Sequence, residues 1–404
     1  MNRPLTESWS LCALAVLVMV AAALMLDGLD AQVLGLAIPA LIEEWGVTRA
    51  DLTPVTAGSL IGMALGATFG GWFGDRFGRR AGLIGSLLLF GVSTALASRV
   101  DALWLFGLLR SLAGLGLGAA LPNGTALITE FTPPRYRSLG ASIAMLSQPV
   151  GSLTAGLLAA ALIESVGWRG LFLIGGLAPL VVALVYLKTL PESPQFLAGR
   201  RASAERASFT ALLAPTLRRD SLLLWLSGFM SLLALYTMLS WGPAMLASEG
   251  YPLAFAGKVV ATFSVGGICG GLLVGVLARR IGSRATQGIV GGVGLVAALV
   301  LILLFSTGRP QPGVVLALMA CVGFSAAGSQ TTLYVLSSHL YPTWLRGTGI
   351  GATLGLGRFG AVASAWAGST ALDLGGAEAF FTLFALSIAV ATAGCTAISN
   401  QVKP

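Results

Sequence analysis

Long apolar runs broken by short polar turns follow one another along the whole chain, near residues 9–42, 52–73, 82–98, 102–128, 139–162, 170–187, 221–246, 254–277, 285–306, 313–337, 347–371 and 377–398. Runs of about 20 apolar residues cross a bilayer as helices, whereas barrel strands show alternation over about ten residues. The pattern predicts an all-α integral membrane protein with twelve transmembrane helices. The longest polar stretch, Lys188 to Asp220 with "AGRRASAERAS" at its centre, separates six runs from six. It predicts an N-terminal six-helix bundle over 1–187, a central loop over 188–219 and a C-terminal six-helix bundle over 220–404.

The halves repeat one another. "GWFGDRFGRR" (71–80) aligns with "GVLARRIGSR" (275–284), and "PALIEEWG" (39–46) aligns with "PAMLASEG" (243–250) at the same offset. "RYRSLGAS" (135–142) aligns with "WLRGTGIG" (344–351) at a slightly larger offset. Three matches in one order, each between corresponding runs, predict a parallel duplication of a six-helix unit, its two copies related by a pseudo-twofold axis along the membrane normal.

Composition agrees with this class: 56% of residues are hydrophobic and only 10% charged, against roughly 25% charged in soluble domains. The net charge of +8 could suggest a nucleic-acid partner, but its distribution follows topology instead. With both termini on one side, that side carries 17 of the 24 Lys and Arg residues, the opposite side five. The positive-inside rule then makes both termini and the central loop cytoplasmic in a multi-pass inner-membrane protein. The first run is too long for a signal h-region and follows a neutral n-region, so it reads as a retained helix. Cys12, Cys269, Cys321 and Cys395 lie in or beside apolar runs without pair spacing and read as small core residues. A single histidine and no H-E-x-x-H leave little for a metal site or an enzyme. No metal and no cofactor are expected.

Four charges fall deep inside the predicted spans, Asp27, Asp30, Arg110 and Arg358, whereas Lys258 and Glu378 lie at span ends. Arg358 lies eleven residues into span 11 and Arg110 eight residues into span 4, about 16 and 12 Å deep at 1.5 Å per residue. Charges at such depth need a polar cavity or a partner. Asp27 and Asp30 are three residues apart and share a helix face. The first run is about 50 Å long as a helix, so it must tilt or break, with Gly28, Gly35 and Pro39 as candidate break points. Two carboxylates on one face in a low dielectric cannot both ionise freely and form a coupled proton site. A buried arginine stays charged and offers a carboxylate a bidentate fork. Asp27 and Asp30 are therefore candidates for proton coupling, Arg358 and Arg110 for binding an organic anion. The Gly-rich "GLGLGAALPNG" (114–124) lies within span 4 and reads as close helix packing, not phosphate binding.

Twelve spans, a six-plus-six duplication and a polar central loop resemble the major facilitator superfamily. The loop after span 2, "GWFGDRFGRR", fits that family's G-x-x-x-D-R-x-G-R-R pattern throughout. The resemblance implies a cytoplasmic gate built from Gly71, Asp75, Arg76, Gly78, Arg79 and Arg80. Asp75 could cap a neighbouring helix N-terminus, Gly78 permits a tight turn, and the three arginines could bridge the halves. The internal repeat sets Glu130 and Arg137 against His339 and Arg346 around equivalent loops, as gate-side candidates.

"SSHLYPTWLRGTGIGATLGLGRFGA" (337–361) further resembles the Y-P-x-x-x-R-x-T-G…G-x-G-R-x-G signature of the aromatic acid:proton symporters, and "DGLD" (27–30) that family's D-G-x-D. "PESPQFL" (191–197) fits too but also occurs in sugar porters. The resemblance implies proton-coupled uptake of a small aromatic carboxylate, benzoate- or hydroxybenzoate-like, by alternating access. The partners would be the organic anion, protons and the lipid bilayer, with no nucleic acid, and the chain would act as a monomer. The alternatives are a sugar or polyol porter, another organic-anion porter or a drug:proton antiporter. Against these, span 5 reads "SQPVGSLTAG" rather than a full antiporter G-P-x-x-G-G, and span 7 lacks the glutamine pair of sugar porters.

Overall fold

The computed structural model describes residues 10–197, 209–342 and 345–402. These form α1 (Leu11–Trp45), α2 (Arg49–Phe77), α3 (Arg79–Ala97), α4 (Leu103–Phe131), α5 (Arg137–Thr189), the one-turn α6 (Pro194–Leu197), α7 (Arg218–Ser248), α8 (Leu253–Ser306), α9 (Pro312–Leu340) and α10 (Arg346–Ala397). Among the described residues nine helices are long and apolar enough to cross a membrane. Three of the nine are double: α5 turns at Gly167, α8 at Gly282, and α10 at Gly375 and Gly376. Counting each of these as two passes gives the twelve expected spans, with every turn between the runs that the sequence separates. Helices are what lipid requires, because an apolar medium leaves backbone groups only each other to bond.

Helix ends follow local chemistry. Ser10 caps α1, its Oγ accepting from Ala13 N at 3.0 Å, and Gly46 closes the helix with φ 64°. Thr48 and Asp51 form a reciprocal capping box at the start of α2. α1 runs as one helix through Gly28, Gly35 and Pro39, so the long first run does not break where its sequence allows.

The chain divides into two compact units, Met1–Ser203 and Ala204–Pro404, with the division inside the polar 188–219 segment. The internal repeat recurs in backbone geometry. Among the described residues six of the seven positive-φ glycines, all but Gly308, fall in pairs at the offsets of the sequence alignment: Gly46 with Gly250, Gly78 with Gly282, and Gly167 with Gly376. Helix packing repeats as well. A Cβ on Gly62 or Gly66 would stand 2.3 or 2.0 Å from a carbonyl oxygen of α4, and one on Gly266 or Gly270 would stand 1.9 or 2.2 Å from a carbonyl of α9. Both units thus cross a helix pair at small residues, where backbones approach most closely. Gly114 and Gly118 of the "GLGLG" stretch make the α4 side of the first crossing, against the Ser59 and Met63 carbonyls. They pack helices, as their position within a span predicted.

Candidate functional site

The first unit assembles a charged cluster in its interior. Asp27, Asp30 and Arg110 are each at most 1% exposed. Arg110 Nη1 lies 3.1 Å from Asp30 Oδ2 and donates to Thr94 Oγ1 at 3.1 Å, while Nη2 donates to the Asp30 carbonyl at 3.5 Å. The guanidinium also lies over the Phe172 ring, 5.4 Å from its centroid. α1, α3, α4 and the second pass of α5 thus converge on one ion pair, and burial makes the pair necessary: an unanswered charge there costs several kcal/mol. Asp27, one turn earlier, accepts from the Gln148 side-chain amide of α5. The remaining Asp30 oxygen, Oδ1, faces Gly175, where a Cβ would come within 3.8 Å of it. Asp30 Oδ1, Arg110 Nε and both amide atoms of Gln32 are buried without a hydrogen-bond partner among the described residues.

An aromatic cluster of edge-to-face and tilted rings lies beside this charged group. Phe172 packs on Phe106 at 5.4 Å, Phe106 on Trp45 at 5.4 Å and on Trp168 at 5.8 Å. Trp168 Nε1 donates to Glu44 Oε2 at 2.6 Å, and Arg169 bonds Glu44 at 2.8 Å, Asp101 at 2.6 Å and the carbonyls of Ser98 and Val100. Glu44 lies just past the first apolar run. Its hydrogen bond from Arg169, helped by that from Trp168, holds its carboxyl below the usual carboxylate range. This clamp joins the ends of α1 and α3 to the turn inside α5.

Arg358 belongs to the second unit. It is half-buried on α10, and its charge acts on Tyr334 of α9, which also feels Tyr236 of α7. A half-buried guanidinium with a phenol in its electrostatic field offers a carboxylate a charged fork. Arg110 differs: its fork is already engaged by Asp30 and Thr94.

The α2–α3 turn is tied to its own unit. Arg79 Nη2 lies 2.5 Å from Asp75 Oδ1, and its Nε lies 3.8 Å from Glu130 Oε1 at the end of α4. Ser193 Oγ donates to Glu130, the Arg80 backbone N–H donates to Glu192 Oε1 at 3.1 Å, and the Arg80 side chain donates to the Leu187 carbonyl. Arg76 lies over the Trp72 and Phe77 rings. Gly78 has φ 108°, and α3 begins there without a side-chain cap. Within this unit Asp75 therefore pairs with Arg79 across the turn rather than capping α3. A Cβ on Gly71 would be 3.9 Å from Pro122 Cβ, ordinary contact. His339 is exposed in the last turn of α9. The side chains of Arg137 and Arg346 lie outside the described residues.

Residues 20–365 match the Major Facilitator Superfamily. The chain belongs to the Major Facilitator Superfamily. It is 34% identical to the 4-hydroxybenzoate transporter PcaK of Pseudomonas putida over 91% of this chain and 88% of that protein. It is 32% identical to the gallate transporter of Pseudomonas putida over 95% and 90% of the two chains. In structure it resembles the crystallised D-xylose-proton symporter, with TM-score 0.76 and 18% identity over 94% of this chain and 97% of that one. That likeness shows the fold. Family and relatives alike make this chain a multi-pass membrane transporter and not an enzyme.

Within this superfamily member, several residues around the charged groups and the α2–α3 turn carry little signal of their own in the sequence. Gln148, Thr94, Tyr334 and Tyr236 are neutral side chains on apolar helices and carry no charge to mark them. Glu192 and Ser193 were visible only as part of "PESPQFL", and their partners lie 112 and 63 residues away. A signal did exist for Gln148: it is a long polar side chain within an apolar run.

Proposed function

We propose that this transporter carries out proton-coupled uptake of a small aromatic carboxylate, benzoate- or hydroxybenzoate-like, by alternating access in the inner membrane. The observation that carries the reading is the separation of charges: a buried Asp27–Asp30–Arg110 cluster in the first unit and a half-buried Arg358, with Tyr334 in its electrostatic field, in the second. The first suits a proton and the second an aromatic anion. The relatives named for 4-hydroxybenzoate and gallate support the same substrate class. In this reading Asp27 and Asp30 form the proton site and Arg110 holds Asp30 in place. Arg358 clamps the substrate carboxylate, and Asp75, Arg79, Arg80 and Glu130 brace the gate loop. Both termini and the 188–219 segment are cytoplasmic, the proton gradient supplies the energy without a cofactor, and the chain works as a monomer.

The test is uptake into proteoliposomes with an imposed inward proton gradient, screened over benzoate, 4-hydroxybenzoate, phenylpropionates, dicarboxylates and sugars. Accumulation confined to the aromatic acids and collapsed by a protonophore is expected. Arg358→Lys keeps charge but loses the planar fork, so it should weaken aromatic-acid binding strongly. Accumulation of a sugar or a dicarboxylate in place of the aromatic acids would overturn the reading.

A further inference from the structure

The second unit lacks the acid that holds the turn of the first. At the offset of the first two alignments Arg279 and Ser283 stand where the first unit has Asp75 and Arg79, so the ion pair across the α2–α3 turn has no counterpart. Arg279 Nε instead donates to the Gly275 carbonyl of its own helix at 3.1 Å. The turn inside α8, at Gly282 with φ 81°, is held from elsewhere. Ser283 is fully buried and exchanges two bonds with Val402. Its N–H donates to the Val402 carbonyl at 3.0 Å, and its Oγ accepts from Val402 N at 2.9 Å. Ser283 Oγ also donates to Gln401 Oε1 at 2.6 Å, and Arg284 Nη2 donates to the Ile398 carbonyl at 3.3 Å.

The same short segment is fastened at its other end to the start of α7. Both carboxylate oxygens of Asp220 accept from Ser399 N at 3.1 Å, bonds that an ionised acceptor strengthens. Arg219 donates to Ser399 Oγ at 2.9 Å and to the Ala397 carbonyl at 3.2 Å. Gln401 Nε2 closes the segment on itself through the carbonyls of Cys395 and Ile398, and Ile398 is buried in an apolar cluster with Leu212, Leu224 and Trp225. The first unit shows the same arrangement in other chemistry. There the Arg80 side chain reaches the Leu187 carbonyl at the end of α5, and the Arg80 backbone N–H reaches Glu192 just beyond it. Where that unit uses a carboxylate, the second uses a serine hydroxyl and backbone groups.

We propose that residues 398–402 are a standing brace of the second unit: with Asp220 and Ser283 as positioning residues, they tie the Gly282 turn to the start of α7 in place of the missing ion pair. α7, α8 and α10 then meet at one end and move as one body. Alternating access displaces whole repeats, and a turn that opens by itself lets such a displacement dissipate within the unit. The brace stays fastened through the cycle, because every bond in it lies inside one unit. Its purpose rests on the transport reading; its geometry does not.

The experiment compares the parent protein with Asp220→Ala, Ser283→Ala and the double variant Ser283→Cys/Val402→Cys, with Ser283→Cys alone as the control for the four native cysteines. Residues that exchange two bonds lie within the span of a disulfide, so mild oxidation should cross-link the pair. Amide hydrogen exchange of the purified protein in detergent should run about five- to tenfold faster over 278–288 in both alanine variants and in the reduced cysteine pair, the effect of one lost buried hydrogen bond. Oxidation of the pair should return it to the parental rate. In proteoliposomes, turnover of 4-hydroxybenzoate per binding-competent molecule should fall severalfold with unchanged affinity, and oxidation of the pair should restore it. A merely structural role would lower the thermal midpoint and leave the turnover of the folded fraction unmoved. Should the alanine variants fail to fold, the cysteine pair, read reduced and oxidised in one preparation, decides alone. A pair that does not cross-link, folded variants with parental exchange or parental turnover, or an oxidised pair that stalls transport would overturn the brace. If exchange responds to the variants while the parent protein accumulates no aromatic acid, the transport reading falls and the brace stands.

Discussion

Arg110 shows what a single residue demands of its surroundings. Its side chain is 1% exposed, and its charge is answered by Asp30, Thr94 and the Phe172 ring. Removing one member of such a pair strands the other in a medium that cannot solvate it. Arg110→Leu should therefore lower stability in detergent by about 3–5 kcal/mol, whereas Asp30→Leu/Arg110→Leu should recover most of the loss. Thermal unfolding of the three proteins measures this, and a double variant no more stable than the single one would contradict the pairing. The four interior charges were legible in the sequence because a charge in an apolar run has no ordinary explanation. Their partners were less so. Arg110 and Asp30 are 80 residues apart, and depth along a helix says nothing of which face meets which neighbour.

Individual elements carry the turns that set these faces. At the α2–α3 turn, Gly78 adopts φ 108° and ψ 144°, a region open essentially to glycine alone, and Glu192 packs where its Cβ would be. Gly78→Ala should cost about 1–3 kcal/mol from the backbone alone, with a further shift of Glu192, read as a lowered thermal midpoint and slower transport. An alanine variant as stable as the parent would show that the turn relaxes freely. The motif "GWFGDRFGRR" announced this turn, but nothing local announced that "PES" would anchor it. At the other end of the unit, Glu44 joins α1 to Arg169 at 2.8 Å, and that bond holds its carboxyl below the usual range. The stabilisation is present above the ordinary carboxylate range and is lost as pH falls through the lowered value. Glu44 is nearly half exposed, at 45%, so solvent screening keeps the effect below about 1 kcal/mol. Glu44→Gln should be slightly less stable than the parent at neutral pH and converge with it only once the pH has fallen through the lowered value of Glu44, in thermal midpoints taken across pH. A gap of constant size down to strong acid would rule the clamp out.

Across the whole molecule, duplication and specialisation coexist. The repeat was legible because turns and small-residue crossings need particular residues, and both units keep them: Gly78 with Gly282, Gly62 and Gly66 with Gly266 and Gly270. The charges are not repeated. At the offset of the first two alignments Asp27 and Asp30 fall opposite Ser231 and Ala234, and at the larger offset Arg358 falls opposite Pro149. The proposed proton chemistry thus belongs to one unit and the proposed anion chemistry to the other. A transporter so divided must couple two ligands held by different units, and coupling between bound ligands is reciprocal. Whatever factor protonation adds to substrate affinity, substrate must add to proton affinity. Calorimetry of aromatic-acid binding across pH, in buffers of different ionisation enthalpy, measures both sides at once. The parent protein should take up protons on binding and bind more weakly as pH rises. Asp27→Asn should bind with flattened pH dependence and little net proton uptake, because its site already mimics the neutral form. Arg358→Lys should lose affinity at every pH while the carboxyl of the first unit still titrates. If substrate binds the parent protein with no proton uptake and no change of affinity between acidic and alkaline pH, the two units are not coupled through Asp27.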